Sequence, residues 1–325
     1  MLNKLNKTLE KWMPLLTPTS VVLGMLLTVY LRSYSNIVPW IFAFITFSGS
    51  LSLNFKDLKR VLTHPLPIFV SLLMLHVIMP AAAWGIGHIL FPGDPHLVTG
   101  LVLFMAVPTG IVSFMWVSLY KGNIALTLSV ILIDTLLSPF IVPGIMSVLV
   151  GADVDMDVWG MMKGLLIMVV FPSVLGMVLN QWTAGKVKTV WGPRLAPFSK
   201  LSLAVVIMIN SAFVAPYFTG INMKFVWTAV VIVLMASLGY FAGYYLSKAF
   251  GWGRDLAVTM TFNTGMRNIS AGAVLAIAYF PPAVAMPVII GMLFQQMLAS
   301  FFGFFLLGER KKAAPTQSGT LTRGA

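Results

Sequence analysis

Ten stretches of this chain reach the length of a bilayer core with almost no charge inside them: 13–31, 37–54, 67–91, 97–120, 123–150, 157–183, 199–217, 223–248, 255–279 and 283–308. A hydrocarbon layer about 30 Å thick needs about 20 apolar residues of helix to cross it. The stretches are continuously apolar rather than alternating in ten-residue units, which argues against a membrane β-barrel. Helix is the other structure that satisfies its own backbone in lipid. Composition agrees, since 58% of the 325 residues are hydrophobic, 9% are charged and the mean hydropathy is +0.92. A soluble domain carries about 25% charged residues, so a soluble enzyme, a disordered chain and a secreted disulfide scaffold are excluded. The chain has no cysteine, which removes thiolate metal sites and cysteine nucleophiles. The histidines at 64, 76, 88 and 96 form no HExxH zinc signature.

The net charge of +12 would suggest nucleic acid on a soluble chain. On a membrane chain it is first a topology signal, because Lys and Arg collect in cytoplasmic loops. With the N-terminus inside, 17 of the 21 bases fall in inner segments: Lys4, Lys7 and Lys11; Lys56, Lys59 and Arg60; Lys121; Lys186, Lys188, Arg194 and Lys200; Lys248 and Arg254; Arg310, Lys311, Lys312 and Arg323. Arg32, Lys163 and Lys224 fall outside, with Asp94, Asp153, Asp155 and Asp157. Lys4 to Lys11 precede the first apolar run with no small-residue cleavage site after it, so that run reads as a resident helix rather than a signal peptide. The expectation is a multi-pass protein of the cytoplasmic (inner) cell membrane with both termini cytoplasmic. It has no nucleic-acid partner, and no protein partner is legible.

Two runs contain sequences that a plain transmembrane helix avoids. Val107-Pro108-Thr109-Gly110 lies mid-run in 97–120, and Asn263-Thr264-Gly265-Met266-Arg267-Asn268 lies mid-run in 255–279. Proline removes an amide donor, and glycine lowers the cost of unwinding. Unwound backbone at membrane depth survives only when buried in protein or lining a wet cavity. The breaks fall in the fourth and ninth expected helices, five spans apart, and five is odd, so the second half would be inserted upside down relative to the first. Interrupted helices at matching positions of inverted halves point to a secondary transporter's binding site. The expected organisation is a cytoplasmic N-terminus (1–12), a first five-helix repeat (13–150), a second, inverted five-helix repeat (157–308) and a disordered cytoplasmic tail (309–325).

Full charges at membrane depth are costly and functional by default, and here they are Asp134 and Arg267, with His76 beside them as a titratable group. The simplest arrangement pairs Asp134 with Arg267, since each would otherwise be a buried, unpaired charge. Such a pair reads either as a permanent tie between two helices or as a working site. In the working site Arg267 binds an anion, or stands as a fixed cation where another carrier binds sodium. Asp134 or His76 could then carry a proton, although His76 reads equally as a hydrogen-bonded core histidine.

At these residues the sequence resembles the bile acid:sodium symporter family. The resemblance runs over about residues 10–308 and includes Phe55-Lys56-Asp57, His64-Pro65, Met79-Pro80 and Pro108-x-Gly110-x-x-Ser113. It continues through Gly122-Asn123-x-Ala125-Leu126 and Ser138-Pro139 to Gly265-Met266-x-Asn268. It implies an all-α membrane protein of ten helices in two inverted repeats, with a panel domain (helices 1, 2, 6 and 7) and a core domain (3–5 and 8–10). Helices 4 and 9 are broken and cross in the core. It further implies transport of organic anions, such as bile acids, steroid sulfates or pantoate, usually with two sodium ions.

The family's sodium-contacting pattern does not carry over. Ser113 matches it, but the asparagine that follows is Phe114 here. Thr127 stands for a serine, the threonine one turn later is Ile131, and the third-helix glutamine is His76. The ninth-helix Glu-x-Gly-Met-Gln reads Asn263-Thr264-Gly265-Met266-Arg267, so a shared carboxylate has become neutral and a glutamine has become a cation. Sodium needs hard oxygen ligands and a compensating negative charge. The expectation is an organic-anion carrier working by alternating access with altered or reduced sodium coupling and no cofactor. The coupling ion is either a single Na+ at Ser113, Thr127 and Asn263, with Asp134 as a further candidate ligand, or an H+ on Asp134 or His76. The expected substrate contacts are Thr109, Arg267, Asn268, Gln295 and Gln296, and the expected partners are a small organic anion and the lipid bilayer. The alternatives are a membrane sensor or scaffold, and an intramembrane lipid-modifying enzyme.

Overall fold

A computed structural model describes residues 2–55, 65–218 and 223–308. Among them the regular structure is helical: α1 (Leu2–Leu26), α2 (Val38–Ser50), α3 (Pro65–Leu90), α4 (Pro95–Ala106), α5 (Val112–Leu119), α6 (Ile124–Val150), α7 (Val158–Trp182), α8 (Gly192–Val214), α9 (Met223–Ala249), α10 (Arg254–Gly265), α11 (Ile269–Tyr279) and α12 (Ala285–Leu307). The motif residues Lys56, Asp57 and His64, and the tail 309–325, lie outside the described residues.

Among the described residues six helices, α3, α6, α7, α8, α9 and α12 with the short turn before it, are long and apolar enough to cross a bilayer. A seventh span is present if Leu15–Leu26 and Thr28–Ser50, bent by 86° against each other, are taken as one. The ten expected runs are therefore not ten unbroken rods. Run 97–120 is split into α4 and α5, run 255–279 into α10 and α11, and the first two runs meet at the bend. α1 starts at Leu2, well ahead of the expected boundary at 13. Leu2, Leu5, Leu9 and Trp12 recur at three- and four-residue spacing between Lys4, Lys7 and Lys11, an amphipathic pattern that favours helix without the apolarity of a span.

Proline shapes two of the long helices. α3 widens into a π turn at Met74–Ile78 and α7 at Leu166–Val170, and each turn is followed two residues on by a proline, Pro80 and Pro172. A proline ring clashes with the carbonyl four residues back, which for Pro80 is that of His76. The widened turn relieves the clash, as single π turns inside helices commonly do.

The helices pack in two sets. α1 lies along α8, α8 against α2, and α2 against α7. In the other set α3 packs on α4 and α6, α9 lies along α10, and α12 contacts α4, α9 and α11. The α9–α10 contact is backbone on backbone: a Cβ on Gly239 would lie 2.7 Å from the Thr264 carbonyl oxygen, and one on Gly243 2.5 Å from that of Met260. Small residues four apart on one face allow this approach where lipid offers no hydrophobic drive for association.

Candidate functional site

α4 ends where Val107 turns extended (φ −62°, ψ 146°), and α10 ends where Met266 does the same (φ −108°, ψ 127°). The two extended pieces cross antiparallel, Thr109 opposite Arg267. The Asn268 amide donates to the Pro108 carbonyl at 2.7 Å, and the Gly110 amide to the Met266 carbonyl at 3.4 Å. Each break thereby supplies polar partners that the other lost on leaving the helix, which is what keeps unwound backbone tolerable away from water. Gly110 permits the approach, since a Cβ there would sit 3.0 Å from the Arg267 carbonyl oxygen.

Most of the side chains expected to contact substrate are engaged with backbone or indole partners, two of them at this crossing. The Thr109 hydroxyl donates to the carbonyls of Asn263 and Met266, at 3.0 Å each, and so caps the end of α10. Asn268 caps α11 by accepting from the Ala271 amide at 3.3 Å. Gln295 Oε1 accepts from the Arg267 amide at 3.1 Å, and Gln296 Oε1 from the Trp116 indole N–H at 3.2 Å. Among the expected ion-coupling residues, Thr127 turns its hydroxyl back to the Asn123 carbonyl in its own helix, at 3.1 Å.

The ionisable groups are arranged differently from the expected pairing. Asp134, fully buried in α6, meets His76 Nε2 through Oδ1 at 2.6 Å and accepts the Thr109 amide at Oδ2, 2.7 Å away. Both carboxylate oxygens are thus engaged by groups other than Arg267, and no Asp134–Arg267 salt bridge forms among the described residues. The π turn explains the exchange. It carries His76, buried at 7% exposure, at a helical phase that ordinary α periodicity does not give.

Arg267 is also buried, at 3% exposure, and its Nη1 and Nη2 have no hydrogen-bond partner among the described residues. The same holds for the Ser113 hydroxyl, both side-chain polar atoms of Asn263, and His76 Nδ1. An unsatisfied buried polar group costs about 1–3 kcal/mol, more when charged. A guanidinium, an amide and a hydroxyl on the two broken spans are thus left with bonding capacity that the described residues do not meet.

The wall beside the arginine is built by a residue that the sequence reading did not single out. Tyr240 of α9 is fully buried, stacks on Phe302 at 4.9 Å and meets Phe262 edge-on at 6.3 Å. A Cβ on Gly265 would run into its ring. The glycines of α9 and the one at the break were the available signal.

The sodium bile acid symporter family model matches residues 39–221, more than half of the chain and across the first break. The chain belongs to that family. It is 55% identical over 294 residues to the Bacillus subtilis protein YbaS, covering 90% of this chain and 96% of that one; YbaS bears no functional name. It is 25% identical to YocS of the same organism, named a sodium-dependent transporter, over 89% of this chain and 91% of that one. It is 27% identical to the rice protein BASS1, named a probable chloroplastic sodium/metabolite cotransporter, over 85% of this chain and 66% of that one. The family's members are transporters, not enzymes, and its membership together with the apolar helices makes this a multi-pass membrane protein that handles a small molecule.

Proposed function

We propose that the chain is a secondary active carrier of a small or amphipathic organic anion, a carboxylate or sulfate, which it moves by alternating access. The observation that carries this reading is the buried Arg267 guanidinium, with Nη1 and Nη2 unpartnered, at the crossing of two broken helices. In this reading the chain spans the cytoplasmic membrane ten times with both termini inside, as two inverted five-helix repeats over 13–150 and 157–308. The set α1, α2, α7 and α8 forms the panel. The set α3–α6 and α9–α12 forms the core, with its broken spans as the fourth and ninth.

Sodium coupling is altered. A sodium site needs oxygen ligands and a compensating carboxylate, and it is the carboxylate that does not fit. Asp134 is committed to His76 and the Thr109 amide, and Asn263 is neutral. At an effective dielectric of 20 a cation 4 Å from Arg267 would be repelled by about 4 kcal/mol. Arg267 takes the place of a bound cation, and the anion binds to it with Asn263 and Ser113.

The test is a screen of organic acids by thermal stabilisation of the purified protein, followed by uptake of the binders into proteoliposomes. Stabilisation by anions and accumulation inside the vesicles are expected. Conversion of the acid to a product without vectorial movement, or binding without movement, would refute the carrier reading.

A further inference from the structure

We infer that the ion moved with the anion is a proton, one for each monoanion, and that it resides on the His76–Asp134 pair. This rests on the anion-carrier reading above and specifies its coupling.

Asp134 accepts the Thr109 amide at Oδ2, and its Oδ1 shares a hydrogen bond with His76 Nε2. With Asp134 as a carboxylate, that bond is made by a neutral imidazole protonated on Nε2 and equally by an imidazolium. In the neutral form the ring's other nitrogen, Nδ1, is a bare lone pair, buried without a partner among the described residues. That nitrogen is where a further proton adds, and it turns the pair into imidazolium and carboxylate with no bond to Asp134 broken. Imidazole is the side chain whose ordinary titration range lies near neutrality.

The charge count sets the stoichiometry. Arg267 and Asp134 sum to zero while His76 is neutral, so the empty site is neutral. Proton binding at Nδ1 makes the site +1, and a bound monoanion returns it to zero. Each ligand therefore favours the other, and both the empty and the doubly loaded carrier reorient without moving net charge. The link between the two sites is short. Asp134 holds the amide of Thr109, and Thr109 is the residue bridged to Arg267 across the crossing.

Other titratable groups on the packed elements lie away from the pair. Around the π turn, α3 adds His88 and α4 adds His96, both near helix ends. Around Asp134, α7 adds Lys163 in its second turn and α10 adds Arg254 and Asp255 in its first, while α5 adds none. Arg267 acts on Asp134 through space, and Tyr240 stands beside Arg267. Among the described residues, no cluster of three or more His, Asp or Glu offers a metal site that would compete with this role.

The experiment uses the full chain in sodium-free proteoliposomes with radiolabelled pantoate, lactate and taurocholate as probes, and protein-free vesicles to subtract leak of the neutral acid. Exchange of label for unlabelled acid inside, which needs no gradient, reports transport itself. With no exchange for any acid, the carrier reading fails. With exchange present, a lumen one pH unit more alkaline than the bath is expected to sustain about tenfold accumulation, the limit for one-to-one coupling, since tenfold is the ratio one pH unit supports. A clamped membrane potential should leave that ratio unchanged. In His76→Gln the gradient-driven accumulation, normalised to exchange, should fall about tenfold, to no concentration. Accumulation that ignores the pH gradient or follows sodium in the wild type would overturn the proposal, as would a His76→Gln protein that still concentrates its substrate with pH.

Discussion

Replacing Arg267 by glutamine is the sharpest perturbation available at the crossing. The guanidinium is desolvated by the fold itself, with Nη1 and Nη2 unpartnered, so its desolvation cost is already met before an anion arrives. A carboxylate 4 Å away gains about 4 kcal/mol at an effective dielectric of 20. Stripping water from the incoming carboxylate returns part of that gain, leaving roughly 2–3 kcal/mol. Arg267→Gln should therefore raise the Kd of a bound monocarboxylate roughly 30- to 150-fold. Arg267→Lys, which keeps the charge without the planar fork, should fall between. Titration of the purified proteins with the acid, followed by thermal shift and by calorimetry, measures the difference. The ligand-free glutamine variant should be no less stable than the parent, because a buried charge with unsatisfied donors has been removed. An affinity changed less than threefold in Arg267→Gln would refute the reasoning, since it would place the anion away from the guanidinium.

Asp134→Ala should lower unfolding stability by about 3–5 kcal/mol, the usual cost of breaking a buried polar pair from one side, as read by denaturant titration in detergent; Asp134→Asn should lose less. Gly243→Leu should abolish folded, membrane-inserted protein on size-exclusion chromatography, because even a Cβ there lies 2.5 Å from the Met260 carbonyl oxygen. Burial pushes the Asp94 carboxyl up, but the Lys224 ammonium 2.6 Å away and the Leu97 amide hold it below the usual carboxylate range. Its contribution to stability is then present above the unfolded carboxylate range and lost as pH falls through the lowered folded value. Asp94→Asn should remove that part of the acid-side loss in a melting series from pH 6 downward, taken in about half-unit steps.

The breaks at Pro108-Thr109-Gly110 and at Gly265-Met266 were legible because proline, glycine and polar residues at membrane depth have few structural explanations. The unusual status of Arg267, Asp134 and His76 was legible for the same reason. Which of the three face one another was not. That depends on the rotational phase of α3, and a π turn changes the phase by one residue without altering composition. Pro80, four residues past His76, was the available sign that the turn had to widen. The engagement of Thr109, Asn268, Gln295 and Gln296 with backbone and indole partners was equally hidden, because a side chain's first obligation inside lipid is to nearby broken backbone. The helical start at Leu2 lay ahead of the expected boundary because its lysines lower the apolarity while leaving the helical period intact.

The hydroxyl of Thr109 and two amide–carbonyl bonds stitch one interrupted span to the other. Thr109, Asn263 and Met266 are all buried there, so the bonds act as a rivet rather than a hinge. On the proposed carrier reading, any rocking that exposes the arginine to one compartment and then the other must carry the riveted pair as a single piece, with the slippage falling on seams such as those between α6 and α7 and between α8 and α11. Side chains on those seams, far from any ligand, are then the ones whose bulk should set the turnover rate.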